Sequence, residues 1–175
     1  MALYVLTGGP GVGKTATVKA LRNRGFFVLD EVAEPLKLEQ MQTSNPILPE
    51  THLYEFQMLV LERQLAQERS VHGKHAFCDR GLIDCVAYLR KGGLAVPQCI
   101  TDVCVAKQYS TIFLLDPLPT YVQTEVRTED EATARIVHGL IEQAYKDFGY
   151  EIIHVPAISI EERVEIILRS VGCFS

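Results

Sequence analysis

Short apolar runs alternate along the chain with longer stretches in which apolar residues recur every three or four positions. The runs are Leu3-Tyr4-Val5-Leu6, Phe26 to Leu29, residues 75–78, Thr111 to Leu115 and Glu151 to Val155. Most are apolar throughout instead of alternating with polar residues, which predicts strands buried on both faces. Between them, helical spacing predicts a helix from Thr15 to about Arg24, a short one from Leu36 to about Gln42, and a long one from Thr51 to about Val71. Leu82 to Leu89 predicts another, and a further helix follows Pro97. Thr128 and Glu131 have capping-box spacing ahead of Ala132, Ile136, Leu140, Ala144 and Phe148, and Gly149 stops that helix. Ser159 and Glu162 repeat the signal before Val164, Ile167 and Leu168, with Gly172 as the stop.

Strands alternating with helices predict an α/β fold: a five-stranded parallel sheet with helices on both faces. In such sheets ligands bind beyond the carboxyl ends of the strands. That rule gathers residues 8–15, Glu31, Asp79-Arg80 and Asp116 on one rim. The 175 residues suit one domain, residues 1–175.

The segment after the first run is Gly8-Gly9-Pro10-Gly11-Val12-Gly13-Lys14-Thr15. It satisfies the phosphate-loop pattern G-x-x-x-x-G-K-[ST] at every position and lies between a strand and a helix, as that pattern requires. Its glycines let successive N–H groups converge on phosphate oxygens at the start of a helix. Lys14 adds a mobile positive charge and Thr15 a hydroxyl for Mg²⁺. A nucleoside triphosphate, with ATP and Mg²⁺ as cofactors, is therefore expected.

Charge narrows the partners. The formal net charge is −5 and no run of lysine or arginine occurs, so a long nucleic acid is disfavoured. No apolar run approaches membrane-spanning length, and the first strand begins too early to leave space for a signal peptide. Cys78, Cys85, Cys99, Cys104 and Cys173 form no zinc-like spacing, which suits free thiols in a reducing cytoplasm. A soluble cytoplasmic protein without a membrane partner is expected.

Several strand-end residues are candidates for chemistry. Asp79 and Asp116 both close apolar strands and both suit the acid that holds Mg²⁺; Asp79 is preferred because Arg80 beside it offers a cation to a phosphoryl group. Asp84 follows in the next helix as a supporting partner or a solvated acid. Glu31, with Glu34 as its rival, suits the group that accepts a proton from an attacking hydroxyl. Arg127 and Arg135 flank a polar segment, 118–137, that would serve as a lid; they would stabilise phosphoryl charge or simply pair with neighbouring acids. Gln57 and Gln64 in the long helix are candidates to line a pocket, whereas the five histidines share no spacing.

The phosphate loop, Phe77-Cys78-Asp79-Arg80-Gly81 with Asp84 and Tyr88, Leu114-Leu115-Asp116-Pro117, and Arg127 with Arg135 resemble a small AAA-type ATPase-like family related to the nicotinamide riboside kinase domain of bacterial NAD regulators. The resemblance covers nearly the whole chain. It implies a nucleoside- or nucleotide-kinase-like phosphate-loop fold with strand order 2-3-1-4-5 and a lid between the fourth and fifth strands. By residue, it implies an acceptor-side acid at Glu31, an acid and arginine at Asp79-Arg80, and lid arginines at Arg127 and Arg135. Glu34 stands where an arginine for an anionic acceptor would be expected. The function these features predict is a Mg²⁺-dependent kinase acting on a nucleoside-like or vitamin-like small molecule. The alternative is a nucleoside triphosphatase or nucleotide-dependent switch, though no N-K-x-D guanine signature is present.

Overall fold

The computed structural model describes residues 2–71, 75–119 and 130–172. Along the chain these form β1 (Leu3–Thr7), α1 (Lys14–Asn23), β2 (Val28–Leu29), α2 (Ala33–Gln40), α3 (Leu53–Arg69) and β3 (Ala76–Asp79). There follow α4 (Asp84–Lys91), α5 (Gln98–Ala106), β4 (Thr111–Leu115), α6 (Glu131–Asp147), β5 (Ile152–Val155) and α7 (Ile160–Ser170). The five strands form one parallel sheet in the order β2-β3-β1-β4-β5.

Alternate residues of β1 enter opposite cores because successive side chains on a strand point to opposite faces. Leu3 and Val5 pack with α2 to α6, while Tyr4 and Leu6 pack with α1 and α7. Both faces are thus apolar, and the result is the expected three-layer sandwich. Register places Leu6 opposite Asp79, Thr7 opposite Leu114, and Leu115 opposite Val155. The strand ends that carry polar residues therefore share one rim.

Several boundaries differ from the pattern-based expectation: α4 runs two residues later than Leu82 to Leu89, and three more bear on the rim or the lid segment. Strand β2 is shortened to Val28–Leu29, although the Phe27 carbonyl still accepts from Phe77 N–H at 3.0 Å at this sheet edge. Helix α2 starts at Ala33 instead of Leu36, because the Glu31 carboxylate accepts from the N–H groups of Ala33 and Glu34, both at 2.9 Å. Helix α6 is capped by Asp130, whose carboxylate accepts from Thr133 N–H at 2.7 Å. The expected cap, Thr128, lies outside the described residues, as do Arg127 and half of the segment expected to form a lid. The capping box of Ser159 and Glu162 is present on α7.

Candidate functional site

The phosphate loop joins β1 to α1. Gly13 stands immediately before the helix with φ 87°, a left-handed conformation that costs glycine little. Helix α1 then begins without a side-chain cap and without an acidic residue in its first turn. Its first N–H groups are left for a ligand, the arrangement that suits an anion. Thr15 is exposed at this start, on the wall of a cavity of about 1000 Å³. Lys14 is buried, and its ammonium donates to the carbonyls of Gly8 at 2.9 Å and Gly9 at 2.8 Å. Burial and the nearby Arg80 charge lower its pKa, against the pull of Asp79, Asp84 and Glu31.

The turn after β3 supplies the opposite wall. Arg80 has φ 77°, a strained conformation for a residue other than glycine, and its N–H donates to the Leu6 carbonyl at 3.0 Å. Its guanidinium donates to Asp84 at 3.2 Å, approaches Glu31 at 3.8 Å and lies 5.5 Å from the Tyr88 ring centre. Burial opposes this charge, but Tyr88, Asp84, Glu31 and Asp79 together hold the guanidinium above its usual value. Gln64 of α3 donates to the Arg80 carbonyl at 2.9 Å and so supports the turn from below.

Asp79 is 5 % exposed, and its Oδ1 has no hydrogen-bond partner among the described residues. Burial pushes its pKa above the ordinary carboxylate range, although Lys14 and Arg80 pull it down. Asp116 is different. It lies outside the cavity, half-exposed, with His154 Nδ1 3.3 Å from its carboxylate.

A buried carboxylate oxygen without a partner among the described residues, lining the same cavity as a hydroxyl at a helix start, is a donor set suited to Mg²⁺. Magnesium commonly takes few protein ligands and completes its shell with waters and substrate phosphates. Thr15 and Asp79 are the residues that would hold the ion.

The cavity continues from Lys14 past Asp79 and Arg80 to Glu31, and on between α2, α3 and α4. Gln57 is 4 % exposed and faces this space, with no side-chain hydrogen bond to a described residue. Glu34 also lines it. Arg135 does not: it is exposed, pairs with Glu131 at 2.7 Å, and flanks the outer side of the loop near Pro10 and Gly11. Cys78, Cys85 and Cys104 are buried, and burial raises their thiols well above the usual range, so they present no thiolate nucleophile.

The profile of a family described as the AAA domain matches residues 3–163. The chain belongs to that family. No curated protein matches it. Among solved structures, this AAA-domain chain is similar to thymidylate kinase from Ehrlichia chaffeensis, with a TM-score of 0.70 at 11% identity over 97% of this chain and 98% of that one. It is also similar to deoxyadenosine kinase from M. mycoides with bound dATP, with a TM-score of 0.65 at 14% identity over 97% and 99% of the two chains. The fold is thus that of phosphate-loop nucleoside and nucleotide kinases.

Two residues that bear on the loop escaped the sequence reading. Arg163 of α7 is 2 % exposed and donates to the carbonyls of Val12 at 2.5 Å, Pro156 at 2.9 Å and Asp116 at 3.3 Å. His138 of α6 accepts from Gly9 N–H at 3.2 Å through Nδ1. A basic residue beside the buried Val164, Ile167 and Leu168 was the available signal for Arg163. For His138 it was the buried positions Ala134 and Ile141 on the same helix, one turn to either side.

Proposed function

We propose that the protein is a kinase that transfers the γ-phosphoryl group of MgATP to a hydroxyl of a small, uncharged, nucleoside-like or vitamin-like acceptor. The observation that carries this reading is the single cavity running from the phosphate loop to Glu31 and on between α2, α3 and α4. A triphosphate on the loop and an acceptor beyond Glu31 would share it, with Arg80 between them. The fold shared with nucleoside and nucleotide kinases supports the same reading.

Each residue has a distinct task. The loop N–H groups and Lys14 bind the phosphates; Lys14 exchanges its bonds to the loop carbonyls for phosphate oxygens. Thr15 and Asp79 would hold Mg²⁺, which would supply charge neutralisation to the phosphates. Arg80 faces the charge that develops on the transferring group, and Arg127 and Arg135 would add to it if the lid segment closes. The acceptor oxygen bonds to the γ-phosphorus, the bond to the bridging oxygen breaks, and the hydroxyl proton passes to Glu31. Because Glu31 is already fixed by two backbone N–H groups, it holds the hydroxyl in line with little reorganisation.

Charge in the acceptor half selects against a phosphorylated acceptor. Glu31, Glu34, Glu50 and Glu55 line it against Lys37 and Lys91, and Lys37 is already paired with Glu50. Tyr54, Phe56 and Tyr88 supply aromatic wall, and Gln57 offers an amide to a polar ring edge.

The test is ATP consumption by the purified protein with magnesium across nucleosides, nucleoside monophosphates and vitamin alcohols, with mass analysis of the products. One phosphorylated acceptor per ADP is expected, nucleosides being preferred to their monophosphates by at least about tenfold, a difference of about 1.4 kcal/mol. Lys14→Ala should abolish turnover with the fold intact. Phosphate release at an undiminished rate without any acceptor would replace the kinase with a triphosphatase.

A further inference from the structure

The phosphate loop is held from outside by helices that follow it by more than a hundred residues. Arg163 binds the carbonyl of Val12, on the outer side of the loop's second half. His138 takes the first half through the N–H of Gly9. Helix α6 lies directly on the loop there: a Cβ added at Gly9 would meet the Ala134 carbonyl oxygen at 2.6 Å and the His138 Cβ at 3.1 Å. Glycine at position 9, which the phosphate-loop pattern itself leaves free, is therefore required by the packing of α6. The same helix begins at the Asp130 cap, inside the segment 118–137 expected to form the lid.

We propose that His138 is a positioning residue for nucleotide binding, whose unprotonated Nδ1 fixes Gly9 against α6 and so sets the shape in which the loop receives a nucleoside triphosphate. This rests on the nucleotide-binding reading of the loop but not on the identity of the acceptor. His138 is not a catalytic group, since it meets the backbone on the far side of the loop from the cavity. Accepting from an N–H requires a free lone pair on Nδ1, so the ring proton sits on Nε2.

The surroundings keep the ring neutral. Burial is the largest influence and disfavours the imidazolium; Lys14 of α1 and His154 of β5 act in the same direction. Asp116, after β4, and Glu142, one turn along α6, favour the proton, and the net direction is downward from the ordinary histidine value. His154 lies between those two acids, 3.3 Å from Asp116 and 3.5 Å from Glu142. Acid strong enough to protonate His138 would convert Nδ1 from acceptor to donor, facing another donor.

Two measurements test the proposal. Nitrogen NMR of the ring at pH 7.5 should show the Nε2–H tautomer, with the Gly9 amide signal moving together with it on acidification; an Nδ1–H ring would overturn the tether. Calorimetric MgATP binding to His138→Asn, His138→Gln and His138→Phe then tests its use. Asn Oδ1 falls near the position of Nδ1, whereas Gln reaches the position of Nε2. His138→Asn is expected to bind within about twofold of the wild type, and the Gln and Phe variants about three- to tenfold more weakly, the effect of one hydrogen bond. As pH falls, wild-type affinity should drop towards that of the Phe variant, while the Asn variant drops less. If Phe does not fold by thermal melting, the Asn and Gln pair and the pH comparison still decide. Equal binding by Asn and Gln would overturn the proposal alone, whereas a wild type that binds no MgATP would overturn the nucleotide reading and this proposal with it.

Discussion

Asp79 and Asp84 stand at the two ends of one short turn, and both are almost completely buried, at 5 % and 3 % exposure. Asp84 is saturated. Its Oδ1 accepts from the Thr7 hydroxyl at 2.6 Å and Arg80 at 3.2 Å, and its Oδ2 from Gly81 N–H at 3.0 Å and the Tyr145 hydroxyl at 2.8 Å. Asp79 leaves Oδ1 without any partner among the described residues and faces Lys14 across the cavity. A buried carboxylate with every lone pair engaged holds protein together; one left short of partners is kept for something the protein binds. The first ties β1, α4 and α6 to the turn, and the second lies open to the ligand.

The largest test of this contrast is Asp84→Ala. It would strand the Thr7 and Tyr145 hydroxyls and the Arg80 charge, and should cost about 3–5 kcal/mol of stability. At the roughly 2–4 °C per kcal/mol expected for a chain of this size, the thermal midpoint should fall by roughly 10 °C. A loss under about 1 kcal/mol would remove Asp84 from its structural role.

Asp79→Asn should act on turnover instead, lowering magnesium-dependent phosphoryl transfer by about 100-fold in steady-state assays. The same substitution should stabilise the nucleotide-free protein by about 1 kcal/mol, raising its midpoint by about 2–4 °C, because a buried charge is removed without breaking a bond to Oδ1. A destabilised Asn variant would mean that Asp79 serves the fold as Asp84 does.

Acidity tests the assignment of Asp79. Asp79 has its folded-state pKa raised, so its ionisation destabilises the fold above that pKa, and the penalty disappears as pH falls through it towards the ordinary carboxylate value. The stability gap between Asp79→Asn and the wild type should therefore narrow on acidification in denaturant titrations. MgATP binding should move the opposite way and weaken, since the metal needs the carboxylate. A gap that widens with acid would reverse the assigned direction. The smallest effect is expected from Asp116→Asn, within about 0.5 kcal/mol on stability and about twofold on turnover; a loss matching that of Asp79→Asn would move the metal to the β4 end.

Much of the site was legible because its signals are local. The phosphate loop is eight consecutive residues between a strand and a helix, and Glu31 and Asp79 are visible as acids at the ends of apolar runs. Whether Asp79 or Asp116 faces the loop was not legible, since both close similar strands. Register and burial separate them: Asp79 lies in the cavity, and Asp116 turns to His154 at the surface. The start of α6 was misplaced, because the capping-box spacing of Thr128 and Glu131 pointed to Thr128, whereas the helix is capped by Asp130.

Alternating apolar runs and helical spacings by themselves determined a parallel α/β sandwich, because burial on both faces demands strands apolar throughout and helices apolar on one side. The presence of the phosphate loop was determined likewise, since its eight residues are consecutive and include the glycines that take positive φ at positions 8, 11 and 13. Only the tertiary structure decided which distant residues hold that loop. Gly9 and His138 are 129 positions apart, and Val12 and Arg163 are 151 apart. Such contacts follow from which helices the sheet order brings against the loop, and no local pattern encodes that.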